Sequence, residues 1–186
     1  MKETYPYIET HAELIELCKA GDNLAFKELY HSYNKAMFNI AMRMLTSKEE
    51  AEDALQESFT SAFKKINDYS GAVSFGSWLK RIVINRCIDI LRKKNLDLIP
   101  LGEKDLPEEE NEVDEQTIIY TVNAIKEAVQ QLPDGYRLVL TLYLFEDYSH
   151  KKIAEELGIS EGTSKSQYAR ARKKLLELII SKNQKS

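Results

Sequence analysis

The sequence predicts an all-α protein made of two small helical domains joined by an acidic flexible linker. The chain has 186 residues with only 7 Gly and 4 Pro, which favours helices over a turn-rich β fold. Apolar residues recur every three or four positions through most of the chain, as on the buried face of a helix. The acidic residues, by contrast, are concentrated in one segment.

That segment, Glu103–Glu115, holds eight acids and one Lys, a local charge of -7 within a chain total of -4. The rest of the chain therefore carries +3, since -4 minus -7 is +3. Pro100, Gly102 and Pro107 interrupt any regular structure, so the region is typical of a self-repelling linker. We expect a first domain at 1–94, the linker at 95–116 and a second domain at 117–186.

The first domain is expected to contain two capped helices followed by a third. Asp22 can cap a long helix that ends near Leu45, and Ser47 with Glu50 forms a capping box for the next. In that next helix the apolar positions from Ala51 to Ile66 face a core. The opposite face is a polar stripe of Asp53, Gln56, Glu57 and Thr60.

A loop at Asn67–Ser77, with the aromatic residues Tyr69 and Phe75, should precede the third helix, Trp78–Lys94. This helix has six basic residues and one acid, a net charge of +5. Helical spacing places four polar side chains in one narrow stripe, with four basic ones beside it. The stripe is Arg81, Asn85, Asp89 and Arg92, and the flanking residues are Lys80, Arg86, Lys93 and Lys94.

The second domain is expected to end in a helix-turn-helix. Two helices, at about 117–131 and 134–145, are separated by Pro133, and the apolar run Leu138–Phe145 predicts a buried helix. Ser149 can then cap a short helix that ends at Gly158, where a positive φ is needed, and Ser160 can cap a longer one. A short helix, a tight turn and a longer helix are the arrangement of a helix-turn-helix.

The longer helix should have a buried row and a polar, basic face. The buried row is Ser164, Tyr168, Ala171, Leu175 and Leu178. The other face carries Thr163, Lys165, Ser166, Gln167, Arg170, Lys173 and Lys174. Hydroxyl, amide and guanidinium groups suit contacts to base edges and phosphates in a major groove.

Several other classes of function have little support in the sequence. Cys18 and Cys87 sit in apolar helical patterns and are expected to be free core thiols, and the three His are scattered without metal-ligand spacing. No paired carboxylates, Cys–His set or Gly-rich phosphate loop indicates an enzyme or a cofactor. Without a signal peptide or a membrane-spanning run, we expect a cytoplasmic protein.

Two stretches in order along the chain resemble one family. "EDALQESFTSAFKKI" and "FGSWLKRIVINRCIDILRKK" are similar to the sigma2 domain of bacterial extracytoplasmic-function (ECF) sigma factors, in the sigma-70 superfamily. "LPDGYRLVLTLYLFEDYSHKKIAEELGISEGTSKSQYARARKKLLELI" resembles their sigma4 domain. The resemblance implies a noncatalytic promoter-recognition subunit whose partners are the RNA polymerase core (β′ clamp and β flap), promoter DNA and an anti-sigma factor.

The resemblance also implies roles for individual residues. Asp53, Gln56, Glu57 and Thr60 would dock on the polymerase core. Contacts to the -10 element would come from Asn67, Tyr69, Phe75, Arg81, Asn85, Arg86 and Arg92, with a flipped base held by the loop. Contacts to the -35 element would come from Thr163, Lys165, Ser166, Gln167, Arg170 and Lys173. Many members have Arg where this chain has Gln167, which changes the charge of the reading face.

Two other interpretations remain open from the sequence. The chain could be an autonomous helix-turn-helix regulator that binds DNA as a dimer without polymerase. It could also be an adaptor whose polar and basic faces contact only proteins.

Overall fold

The computed structural model describes residues 9–94 and 122–183. These residues form eight α-helices and no strand, which confirms the predicted all-α fold. The chain divides into two compact units after Ile90, and each unit is considered separately. The linker predicted at 95–116 lies outside the described residues, so the proposed domain boundaries stay predictions.

Residues 9–94 form four α-helices and a short 3-10 helix, and the last helix extends three residues beyond Ile90, where the first unit ends. They are α1 (Ala12–Lys19), α2 (Asn23–Met44), α3 (Lys48–Lys64), the 3-10 helix (Ile66–Asp68) and α4 (Phe75–Lys93). The Asp22 carboxylate accepts hydrogen bonds from the backbone N–H groups of Leu24 and Ala25, at 2.7 and 3.1 Å. Ser47 Oγ accepts one from the N–H of Glu50 at 3.3 Å. Both predicted N-caps are therefore confirmed.

Helix α4 begins earlier than the sequence suggested, at Phe75 instead of Trp78. The reason is a local cap: Ser74 Oγ accepts a hydrogen bond from the N–H of Ser77 at 3.1 Å. The first helical bond runs from the N–H of Trp78 to the carbonyl of Ser74 at 3.0 Å. The irregular loop is consequently limited to residues 69–74.

Helix α3 separates a buried face from an exposed one, as its periodicity predicted. Ala51, Leu55, Phe59 and Ala62 are buried, together with Ser58, whose hydroxyl donates to the carbonyl of Ala54. Because α2 packs along this side, the polar stripe of α3 is directed to solvent.

The second unit contains α5 (Val122–Gln130), α6 (Asp134–Leu144), α7 (His150–Leu157) and α8 (Glu161–Asn183). Its core is formed by Val129, Leu132, Leu140 and Ala171, and partly buried Tyr168, Leu175 and Leu178 pack against it. Since Ser164 is also buried, the predicted inner row of α8 is confirmed. The predicted start of the helix at 117 lies outside the described residues.

The apolar run in α6 is buried only in part. Leu138–Leu142 is buried, but Tyr143, Leu144 and Phe145 are 37%, 50% and 40% exposed. The prediction of a wholly buried segment was therefore wrong at its end. Helix α6 ends at Leu144, and the chain turns away there towards α7, so the last turn is covered on one side only.

A buried arginine, Arg137, joins the start of α6 to the end of α5. Its guanidinium is only 1% exposed, donates to the carbonyl of Leu132 at 2.7 Å and pairs with the carboxylate of Asp134. A charge this deeply buried is tolerated only when it is paired and hydrogen-bonded. Arg137 therefore has a structural role, which the apolar sequence around it did not reveal.

Candidate nucleic-acid and protein interfaces

The α3 polar surface consists of Asp53, Gln56, Glu57 and Thr60. All four residues are exposed on one side of the helix. Thr60 Oγ1 donates to the carbonyl of Gln56 at 2.8 Å, which satisfies the hydroxyl within the helix. The carboxylates and the amide are thus displayed on a rigid, capped helix, an arrangement suited to binding another protein.

The α4 stripe presents Arg81, Asn85 and Arg92 on one exposed face, with Asp89 beside them. Arg86 differs from these residues, because its side chain is only 26% exposed and forms an ion pair with Glu57 on α3. The sequence assigned Arg86 to a DNA-binding site and Glu57 to a protein-binding site. The structure instead brings the two residues together.

The aromatic residues of the loop are core residues. Phe75 is 0% and Tyr69 is 6% exposed, so neither ring lies on the surface, and their assignment to the -10 element stays a prediction. Phe75 lies between Tyr33, Tyr69 and Trp78, with ring centroids 5.3–5.6 Å apart. Such contacts stabilise an aromatic cluster. Asn67, in contrast, is exposed on the 3-10 helix, and the loop tip at 70–73 is exposed as well.

The helix-turn-helix has the predicted geometry. Ser149 Oγ caps α7 by accepting from the N–H of Lys152 at 3.2 Å. Gly158 ends α7 with φ 70° and ψ 35°, in the left-handed region that glycine adopts without strain. Ser160 Oγ then accepts from the N–H of Thr163 at 2.9 Å and caps α8. Three local signals in the sequence, Ser149, Gly158 and Ser160, therefore set the ends of the two helices around the turn.

The exposed face of α8 forms most of the reading face predicted for it. Lys165 and Lys173 are exposed, and Thr163, Ser166 and Arg170 are half-buried. Lys165 pairs with Glu161 at 3.2 Å across one helical turn. A ligand that binds Lys165 would have to compete with this exposed and therefore weak ion pair.

Gln167 does not belong to this face. It is 2% exposed, and its Oε1 is buried without a hydrogen-bond partner among the described residues. The prediction that Gln167 lies on the exposed face of α8 was therefore wrong, and its contact with the -35 element stays a prediction. The polar side chain suggested a solvent-facing position, but α8 packs against both α6 and α7, which widens its buried face.

Sequence reasoning missed a polar cluster around His150, the first residue of α7. The imidazole stacks on Tyr143 of α6 with centroids 4.3 Å apart, and Nδ1 lies 3.0 Å from Ser164 Oγ on α8. Burial lowers the pKa of His150 below its ordinary value of 6.5, and the positive charge of Lys165 lowers this pKa further, against an opposing effect of Glu161. The imidazole thus connects all three helices around the turn.

The thiols are buried and unpaired, as predicted. Burial raises the pKa of Cys18 to about 11, with a smaller contribution from Asp22. Burial also raises the pKa of Cys87 to about 12, although Arg86 opposes it. Within 9–94 and 122–183, no group of three His, Cys, Asp or Glu side chains could hold a metal ion. None of the helices in these ranges is long and apolar enough to cross a membrane.

The fold and these surfaces define a helical protein with a helix-turn-helix, the class that places its second helix in the major groove. Two family models match the chain: Sigma-70 region 2 over residues 29–96, and Sigma-70, region 4 over residues 123–175. The chain belongs to the ECF RNA polymerase sigma factors of the sigma-70 family.

Named relatives support this assignment along most of the chain. The sequence is 32% identical over 170 residues to the ECF RNA polymerase sigma factor SigM of Mycobacterium tuberculosis, covering 91% of this chain and 85% of the relative. It is 33% identical over 172 residues to the ECF RNA polymerase sigma factor SigW of Bacillus subtilis, covering 87% of this chain and 92% of the relative.

Two solved structures share the fold at 22% sequence identity. The sigma factor RpoE of Bartonella quintana, in complex with the anti-sigma factor NepR, has a TM-score of 0.54 and covers 83% of this chain and 96% of its own. CnrH, in complex with the cytosolic domain of CnrY, has a TM-score of 0.52, and the match covers 90% of this chain and 96% of CnrH.

Proposed function

We propose that the chain binds the core of bacterial RNA polymerase and directs initiation at promoters by recognising their -10 and -35 elements. The observation that carries the proposal is that the chain has two separate surfaces suited to binding DNA. One compact unit has the exposed stripe of α4, and the other has a capped recognition helix, α8, after a left-handed glycine turn. The chain matches both Sigma-70 region 2 and Sigma-70, region 4, and this supports a shared role for the two surfaces.

The proposal gives each surface a separate task. The α3 polar surface docks on the polymerase core through its carboxylates and amide. On α4, Arg81, Asn85 and Arg92 follow the DNA strand beside the -10 element, and Asn67 with the loop tip approaches the base that leaves the stack. Such stripes gain affinity by contacting phosphates and specificity by contacting bases.

At the -35 element, α8 enters the major groove from its N-terminal turns. Arg170 and Lys165 supply positive charge, and Thr163 and Ser166 supply hydroxyl groups for hydrogen bonds. Lys173 lies further along the helix and contacts a phosphate. Arg170 is the residue assigned to base reading, because a guanidinium can bond two acceptors of one guanine.

The same proposal assigns the first domain to 1–94, the linker to 95–116 and the second domain to 117–186. It places the protein in the cytoplasm, where core polymerase and promoters are found. It includes an anti-sigma factor as a partner and assigns no catalytic step to the chain.

Run-off transcription is the direct test. Purified core polymerase is mixed with the protein and a genomic promoter library, and core polymerase alone is the control. We expect new start sites whose upstream sequences share two elements. If the folded protein stimulates no start site, the proposed function is wrong.

A gel shift without polymerase discriminates the autonomous regulator. Tight sequence-specific binding by the isolated protein would favour that alternative. The adaptor alternative instead predicts that partner binding does not change across a titration of salt and DNA, whereas phosphate contacts weaken steeply with salt.

A further inference from the structure

The N-terminal segment contacts the loop that precedes α4 through one acidic residue, Glu9. Its carboxylate Oε2 accepts a hydrogen bond from the backbone N–H of Phe75 at 2.8 Å and lies 3.2 Å from the hydroxyl of Tyr69. The other oxygen, Oε1, accepts from the N–H of His11 at 3.3 Å. One carboxylate therefore joins the N-terminal segment to a loop and a helix start that lie 60 and 66 residues further along the chain.

The contact with Phe75 is the strong one of the three. Phe75 is the first residue of α4, where backbone N–H groups have no partner inside the helix. A carboxylate there forms a charge-assisted hydrogen bond and also benefits from the positive end of the helix dipole. Ser74 caps a different N–H, that of Ser77, so Glu9 and Ser74 act on separate donors.

The hydroxyl of Tyr69 closes the loop on itself. It donates to the carbonyl of Val73 at 2.6 Å, a shorter contact than the one to Glu9. Because a phenol has a single proton, Val73 receives most of this hydrogen bond. Glu9 thus lies at the base of a closed loop whose tip, including 52% exposed Val73, faces solvent.

A second contact of the N-terminal segment, made by His11, supports the residues that follow the loop. His11 Nδ1 lies 3.0 Å from the hydroxyl of Tyr33, and the ring of Tyr33 packs on Phe75. Gly76 has no room for a side chain, since a Cβ there would lie 2.9 Å from Tyr33 Cε1. Phe75, at the end of the loop, therefore packs against the ring of Tyr33 and is hydrogen-bonded through its N–H to the carboxylate of Glu9.

We propose that Glu9 is a positioning residue that holds the 69–74 loop in the shape required to receive a base of the -10 element. The inference rests on the proposed function of that loop. It differs from that proposal because Glu9 touches no DNA: it acts through the N–H of Phe75 and the closed loop. Loss of Glu9 should loosen the loop without disturbing α3 or the helix-turn-helix.

The test compares E9A with the matched control E13A in the full chain. Glu13 is another exposed acid of the same segment, and it lies in the first turn of α1 instead of at the loop. Hydrogen exchange of the Phe75 amide reports the contact directly, since Glu9 is its acceptor. Trp78, the single tryptophan of the chain, lies 5.5 Å from Tyr69 and provides a fluorescence signal for the same region.

We expect E9A to speed exchange at Phe75 by about tenfold or more, as for loss of a charge-assisted bond, and to leave Ser77 much less changed. Promoter opening and discrimination at the -10 element should fall, while binding to core polymerase and to a -35 duplex stays at the wild-type level. E13A should match the wild type in every measurement. If E9A does not fold, E9Q retains the size of the side chain and one acceptor and should show a smaller change of the same kind.

Two results would overturn the inference. Wild-type exchange at Phe75 in E9A would show that the carboxylate does not hold the loop. Faster exchange with unchanged -10 discrimination would show that the loop shape does not matter for reading. A failure of the proposed function is recognised separately, because the wild-type protein itself would then give no transcription.

Discussion

The guanidinium of Arg86 on α4 lies 2.5 Å from the carboxylate of Glu57 on α3. Glu57 belongs to the α3 polar surface, and Arg86 flanks the α4 stripe. The ion pair therefore joins the surface proposed for polymerase to the one proposed for DNA. It also neutralises the charge of Arg86 locally, which makes this arginine a poor phosphate contact in the conformation described.

The first prediction compares R86A with R81A. Arg81 is exposed, whereas only 26% of the Arg86 side chain is exposed, so R86A should weaken binding of the assembled polymerase to a -10 single strand less than R81A does. Fluorescence anisotropy with a labelled single strand measures the binding of both variants. In urea unfolding, a double-mutant cycle of R86A and E57A should give a coupling of about 0.2–1 kcal/mol, because Glu57 is exposed and the pair is screened by solvent on that side. An equal loss of DNA binding in R86A and R81A would contradict this prediction.

The second prediction concerns the α3 polar surface. The double substitution D53A/Q56A should abolish or greatly weaken binding to core polymerase, by about 2 kcal/mol or more if both are central contacts. Because both side chains are exposed, the free energy of unfolding should change by no more than about 0.5 kcal/mol each. E28A is the control, since Glu28 is an exposed acid on α2 instead of α3. Core binding that survives D53A/Q56A would exclude this surface as the docking site.

The third prediction separates two neighbours on α8. R170A should weaken -35 binding by about 1–3 kcal/mol and relax specificity at one base pair if Arg170 reads a base. Q167M should leave -35 binding unchanged, because Gln167 is buried. It should also leave stability equal or higher, since it removes a buried oxygen that has no hydrogen-bond partner in the described residues. A uniform loss over all sequences in R170A would indicate a phosphate contact instead.

Local signals predicted the helices and the turn well. The caps at Asp22, Ser47 and Ser149 and the left-handed Gly158 each depend on a few adjacent residues, so the sequence contains all the information needed. The exposed stripe of α3 could also be predicted, because a helix period of 3.6 residues fixes which side chains share a face.

The errors occurred where burial depends on distant parts of the chain. Tyr69 lies in an irregular loop and Phe75 begins the helix after it, and the two rings pack on Trp78 and Tyr33, which no periodicity connects to them. Gln167 is buried on α8, which packs against α5, α6 and α7, and a polar residue type gives no sign of this. The role of Glu9 was missed for the same reason: its partners are 60 and 66 residues away.

The fourth prediction concerns the cysteines. With the pKa of Cys18 raised to about 11 and that of Cys87 to about 12, both stay thiols at neutral pH, and the thiolate is the reactive form. Both side chains are also buried. A thiol reagent should label neither residue in the folded protein and both after denaturation. Rapid labelling of one residue under native conditions would show that the surrounding helices open locally.

The fifth prediction is a pH dependence of stability in the second unit, caused by His150. Its pKa is lowered in the folded protein, so the unfolded chain binds a proton more readily. Stability should therefore be complete above the ordinary pKa of 6.5 and decrease as the pH falls through it. The charged groups that act on the imidazole are Lys165, which favours the neutral form, and Glu161, which opposes it. H150F retains a ring that can stack on Tyr143 but cannot take up a proton.

Thermal unfolding at about pH 5.5 and about pH 7.5 provides the measurement, because an unperturbed histidine changes charge within this range. We expect the wild type to lose more stability at the lower pH than H150F does. H31A is the control, since His31 is an exposed histidine of α2 in the first unit and takes no part in the cluster of His150, Tyr143 and Ser164. Equal losses in the wild type and H150F would show that His150 does not control this dependence. A larger loss in K165A than in the wild type would contradict the assigned effect of Lys165, since removing that charge should favour protonation in the folded state and reduce the loss.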